Sequence, residues 1–124
     1  MDNGQEFYPK AIYDALKNVS GNFTGDLPVF ITENGTFGVD EKVALENGRE
    51  VVHDPVRIRY YNGFLEQLAK AIKEGANVKG YFAWTLLDNF EWTAGYSSRF
   101  GLARKEGERY ILKDSGAWFK EFLK

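Results

Sequence analysis

Two almost uninterrupted apolar runs, LPVFIT from Leu27 to Thr32 and VKGYFAWTLL from Val78 to Leu87, constrain this chain more than any other feature. Neither alternates apolar with polar residues as a half-wet strand would, so each reads as a strand covered on both faces, the habit of parallel sheets. Each stops at a polar turn, Glu33-Asn34-Gly35 and Asp88-Asn89. Parallel strands need a crossover, and the segment between them supplies a helix. Asp54-Pro55 is an N-cap and first-turn pair, Tyr61, Phe64, Leu65, Leu68 and Ile72 mark one face, and Gly75 ends it. An earlier helix is expected from Pro9, with Tyr8, Ile12, Ala15, Leu16 and Val19 as its stripe and Gly21 to Gly25 closing it. Asp114 or Ser115 is expected to cap a last helix bearing Trp118, Phe119, Phe122 and Leu123. Residues 34–54 and 93–113 lack a steady period and read as loops, the first with a short helical turn from Val39 to Leu45.

Helix, strand, loop, helix, strand, loop, helix is the grammar of a βαβ crossover. Two strands are too few for a covered parallel sheet, so the chain reads as part of a larger α/β body or as a protomer that hides its edges by pairing. A lone copy would expose the faces of Val29 to Thr32 and Val78 to Leu86, an apolar patch that drives self-association.

Composition narrows the chemistry. The 124 residues contain no Cys, which removes disulfides, thiolate metal sites and thiol nucleophiles, and a single His, His53, which has no second His to build a metal pair. A net charge of −2 offers no basic footprint for nucleic acid and no polybasic membrane anchor. MDNGQEFYPK carries neither a basic start nor an apolar run, so no signal peptide is visible and a cytoplasmic location is expected.

In βα architectures, chemistry collects where strands end. The first strand delivers Glu33 after an apolar run, where a carboxylate has no packing role. The second delivers Trp84, Asp88, Asn89, Phe90, Glu91 and Trp92 in close succession. Seven of the 20 aromatic residues fall between Tyr81 and Phe100, and rings beside carboxylates are what a sugar pocket needs. Each residue also has a plainer reading. Glu33 could be a solvated turn carboxylate, Trp84 core, and Glu91 a scaffold group, while Asp88, Asn89 and His53 are assigned to structure.

ITENG (Ile31 to Gly35), WTLLDNFEW (Trp84 to Trp92) and GYSSRFGL (Gly95 to Leu102) resemble the carboxyl-terminal part of glycoside hydrolase family 1, the β-glucosidase group. FYPKAIYDAL, VHDPVRIRYY, EGANVKGYFAW and KDSGAWFKEFL agree, in the same order, over nearly the whole chain. The resemblance implies an incomplete (β/α)8 TIM barrel, residues 1–124 forming one segment with the seventh and eighth strands and their flanking helices. It implies a retaining β-glycosidase acting on unphosphorylated β-glucosides, with Glu33 as catalytic nucleophile and with no metal and no organic cofactor. Trp84 would be the floor under the sugar, Glu91 the carboxylate gripping its hydroxyls, Trp92 an indole donor and Phe100 an aromatic wall. Glu91-Trp92 argues against the 6-phosphoglycosidase branch.

Retaining hydrolysis also needs a general acid/base whose carboxyl lies ~5 to 5.5 Å from the nucleophile. The family carries it in an Asn-Glu-Pro motif, which does not occur in these residues. The expected partners are therefore a β-glucoside or related oligosaccharide and either the remainder of a barrel or further copies of this chain. The competing expectation is a catalytically silent barrel segment that folds or self-associates without turnover.

Overall fold

The structure is a computed structural model and describes residues 6–38 and 41–124. Its elements in order are α1 (Lys10–Val19), β1 (Val29–Asn34), β2 (Val43–Glu46), β3 (Arg49–Val52), α2 (Pro55–Lys73), β4 (Val78–Ala83), β5 (Ala103–Glu106), β6 (Arg109–Leu112) and α3 (Asp114–Phe122). The chain divides into two compact units, residues 1–34 with 60–83 and residues 35–59 with 84–124. None of the helices is long and apolar enough to cross a membrane among the described residues.

The first unit is the expected pair of parallel strands. β1 and β4 run side by side, with Ile31 opposite Tyr81 and Asn34 opposite Ala83 across a register shift. Leu16 of α1 and Leu68 and Ala71 of α2 bury against Ala76, with Ile12, Tyr13, Val29, Ile31, Leu65, Val78 and Tyr81 packed around them. This is the three- and four-residue stripe of the helices meeting one face of the sheet. The expected stripes need three corrections. Tyr8 lies before α1 and is 50% exposed, Ala15 of α1 is exposed, and Ile72 of α2 stays 45% exposed, Ala71 taking the inward position. α1 also runs on past Gly21 through a wider π-turn over Ser20–Thr24, and only Gly25, at φ 53°, stops it.

The opposite face of the sheet is not covered as the unbroken apolar runs suggested. Phe30 and Phe82 remain 55% and 59% exposed, and among the described residues β1 and β4 pair only with each other.

The second unit holds what the sequence offered as loops. Residues 43–52 form the hairpin β2–β3 and residues 103–112 the hairpin β5–β6. The expected helical turn from Val39 to Leu45 is overturned where it is described: Val43 to Leu45 lie in β2, while Val39 falls outside the described residues. Asn47-Gly48, with φ of 50° and 74°, makes the two-residue turn that a tight hairpin requires. The second apolar run leaves the strand at Ala83. From Thr85 to Asp88 it bonds to the Phe100–Ala103 segment instead, through Leu102 N–H to the Thr85 carbonyl (2.9 Å) and Ala103 N–H to that of Leu86 (2.9 Å).

The capping expectations are also revised. Lys113 occupies the N-cap position of α3 and offers no side-chain cap. The cap comes from a distant residue: Asp54 Oδ1 accepts the Ser115 N–H at 2.8 Å, and Asp54 Oδ2 accepts the Ser115 hydroxyl. A carboxylate there satisfies orphan donors and faces the positive end of the helix dipole. Asp114, the acid of that first turn, pairs with His53.

His53 is the clamp between the β2–β3 hairpin and α3. Its Nδ1 lies 2.6 Å from Asp114 Oδ2 and its Nε2 2.7 Å from Glu46 Oε1. Two carboxylates favour the imidazolium, and the Asp114 hydrogen bond above all raises its pKa to about 9 from the usual 6.5. Because the folded value is the higher one, the stabilisation is complete below pH 6.5 and declines as pH rises towards 9. We predict that the imidazole proton shifts of this sole histidine titrate near 9, and that His53→Gln flattens the fall in stability between those two pH values. Titration near 6.5 would show the clamp to be open.

Candidate active site

Glu33 is the penultimate residue of β1, at the carboxyl end of a parallel strand. Its side chain is exposed and makes no hydrogen bond or ion pair among the described residues. The backbone beside it is held through Asn34. The Asn34 amide donates to the Tyr60 hydroxyl (3.1 Å), and its oxygen accepts from the Tyr81 hydroxyl (2.7 Å). Burial pushes both phenols up, so they stay neutral donors and acceptors over the working range. Asn34 is thus an anchor for the nucleophile candidate that sequence reading passed over.

Two residues past Glu33 the chain passes close against the main chain of Trp84. A Cβ built on Gly35 would stand 1.7 Å from the Trp84 carbonyl oxygen, so only glycine fits. Trp84 follows the last residue of β4 and precedes a cis peptide bond to Thr85.

Within the second unit, the structure brings two of the expected site residues together. The Trp84 indole Nε1–H donates to Glu91 Oε1 at 3.1 Å, both side chains half-buried. Glu91 is fixed at its backbone as well, its N–H bonding the Gly95 carbonyl at 2.8 Å. Trp92 begins a short 3₁₀ turn to Ala94 at a positive φ of 43° and is 88% exposed. It touches none of the other candidates through a bond or ring contact among the described residues. Phe100 pairs with Phe37, ring centroids 5.3 Å apart, a partner the sequence reading did not single out. Phe90, expected among the aromatic platforms, sits edge-on to Tyr96 at 5.7 Å.

Asp88 has the structural place expected of it. Its carboxylate is 3% exposed; Oδ1 accepts the Gly101 N–H (2.9 Å) and the Lys113 ammonium (3.0 Å), while Oδ2 faces Lys105 N–H and Arg99. It is one end of a buried chain of alternating charge. Lys113 continues to Glu41 (2.5 Å), Glu41 to Arg57 (2.5 Å) and Arg57 to Asp54. Burial pushes the Lys113 ammonium below its ordinary value, and the Glu41 and Asp88 carboxylates oppose that fall. The sequence reading missed Glu41, Arg57 and Lys113 altogether.

No group of three or more His, Asp or Glu able to hold a metal occurs among the described residues. What the arrangement provides is an exposed carboxylate on a strand end and, in the other unit, an indole–carboxylate pair with aromatic neighbours.

The model of glycosyl hydrolase family 1 matches residues 1–124. β-Glucosidase A of Thermotoga maritima is 46% identical over 123 residues, covering 98% of this chain and 26% of that protein. The 6-phospho-β-glucosidase GmuD of Bacillus subtilis is 41% identical over 122 residues, 95% of this chain and 26% of its own length. Among solved structures, a Thermotoga maritima β-glucosidase in complex with castanospermine superposes with a TM-score of 0.90 at 44% identity, covering 99% of this chain and 27% of that one. The chain therefore spans about a quarter of the length of the relatives it matches. Its two parallel strands and flanking helices are an open portion of a (β/α)8 barrel, as the resemblance implied. A whole-length family match, with identity and backbone agreement of this order, places the chain in glycosyl hydrolase family 1.

Proposed function

We propose that these residues supply the nucleophile and the sugar-gripping side of a retaining β-glycosidase site for unphosphorylated β-glucosides or related sugars. The observation that carries this reading is Glu33: an exposed carboxylate without a cationic partner among the described residues, at the end of a parallel strand where (β/α)8 enzymes keep their catalytic groups. Its oxygen attacks the anomeric carbon as the bond to the leaving oxygen breaks, giving a glycosyl ester that water later cleaves. Trp84 presents a ring face to the sugar, and its N–H holds Glu91 by Oε1, leaving Oε2 for a sugar hydroxyl. Trp92 and Phe100 serve as the further donor and wall.

Identity alone does not separate plain from phosphorylated sugars, since a 6-phospho-β-glucosidase matches at 41% and a β-glucosidase at 46%. Glu91-Trp92 supports the plain sugar, because a carboxylate repels a phosphate. The acid/base and the remaining walls come from outside these 124 residues, from the rest of a barrel or from associated chains.

Without a proton donor, the first step requires a leaving group that departs as an anion. Incubation with 2,4-dinitrophenyl 2-deoxy-2-fluoro-β-glucoside should place one fluoroglucosyl group on the peptide carrying Glu33 and release a matching quantity of dinitrophenolate. Glu33→Gln should abolish both. Labelling of another carboxylate would overturn the assignment, and a folded chain that takes no label would be the silent segment.

A further inference from the structure

We propose that Arg57 is a positioning residue for the sugar pocket, holding the Phe37–Phe100 aromatic pair in place through the backbone on both of its sides. This rests on the reading of Phe100 as a pocket wall. Arg57 is 2% exposed, and besides the Asp54 and Glu41 carboxylates its guanidinium fork reaches two separate stretches of main chain. Nε donates to the Thr36 carbonyl (3.3 Å), next to Phe37, and Nη2 to the Arg99 carbonyl (2.5 Å), next to Phe100. The Arg99 carbonyl accepts the Gly38 N–H as well (3.1 Å), so the residues flanking the two rings are tied to each other and to one cation.

Phe100 is gripped from its other side by the same chain of charges. Gly101 N–H bonds Asp88 Oδ1 (2.9 Å), Asp88 bonds Lys113, and Lys113 reaches Arg57 through Glu41. A ring whose preceding carbonyl and following amide both end on buried ions has little freedom to tilt.

A planar fork is required for this. A lysine in its place would keep the charge between Asp54 and Glu41 but could not reach both carbonyls at once. A neutral core residue would fill the space equally well if the role were packing alone. The choice of Arg at a place with two backbone acceptors and two carboxylates points to geometry.

The test uses the 124-residue chain, Arg57→Lys, Phe100→Ala and the double variant. Three readouts are ring-to-ring NOEs between Phe37 and Phe100, amide exchange of Gly38 and Gly101, and binding of deoxynojirimycin followed at the Trp84 indole. We expect Arg57→Lys to weaken the Phe37–Phe100 NOEs and lower affinity about tenfold. On the Phe100→Ala background it should lower affinity no further, since the two changes act through one ring. Additive losses, or unchanged NOEs, would overturn the proposal. If Arg57→Lys does not fold, the unsubstituted chain decides: Gly38 and Gly101 amides exchanging far faster than those of α2 would show that the clamp does not hold. If the unsubstituted chain binds no deoxynojirimycin, the sugar reading fails, while the NOE and exchange results still judge the clamp.

Discussion

Asp54→Ala is expected to cost about 3–5 kcal/mol, the range found when one partner of a buried ion pair is removed. The Asp54 carboxylate is 2% exposed and answers three donors: Arg57 Nη1, the Ser115 hydroxyl and the Ser115 N–H. Without it, the Arg57 cation loses one of two carboxylate partners inside the protein, and the first turn of α3 loses its cap. Total stability for a domain is only about 5–15 kcal/mol, so urea unfolding should shift to much lower midpoints or lose its cooperative transition. Asp54→Asn, which keeps an acceptor for Ser115 but drops the charge, should lose nearly as much, less only by the ~0.5–2 kcal/mol that a helix cap is worth. Equal losses for both variants would show that the ion pair, and not the cap, carries the whole effect; no loss in either would contradict the burial described above.

Gly35→Ala is the second large effect, and its origin is steric. The added methyl would meet the Trp84 carbonyl oxygen at 1.7 Å and its carbon at 2.8 Å, both main-chain atoms that no rotamer change can move. Overpacking typically costs ~1 to 3 kcal/mol even where side chains can yield. Here the backbone must part, so a value at or above the top of that range is expected, together with a shifted Trp84 indole N–H resonance. By contrast, alanine at Gly21, which has no atom within 4 Å of an added Cβ, should leave both stability and the indole signal unchanged. A Gly35→Ala chain as stable as its parent would mean that the two segments are not in contact.

Period and composition made the helices and the parallel pair legible because each rests on several residues repeating one rule: α2 places Tyr61, Phe64 and Leu68 inward at helical spacing, β1 opens with the apolar run Val29 to Ile31, and β4 is apolar but for Lys79. The hairpins escaped because their strands are only four residues long and two of them, REVV and ARKE, are largely charged or half polar. The Asn47-Gly48 turn was nevertheless a signal, being the dipeptide that tight hairpins favour. Single-residue candidates such as Glu33 and Trp84 stood out because strand ends are places where polarity changes abruptly. The buried ion chain did not, since Glu41, Arg57 and Lys113 are ordinary charged residues far apart in sequence, and no local pattern announces that three-dimensional folding will bring them together. The cap on α3 failed for the same reason: the capping side chain comes from Asp54, not from the neighbours of the helix.

The parallel pair has two unlike borders, one on β1 and one on β4, so a copy that sets its β1 border against the β4 border of the next adds head to tail. Such growth has no built-in end. It stops when the rotation from copy to copy closes a ring, and otherwise it runs on into a fibre.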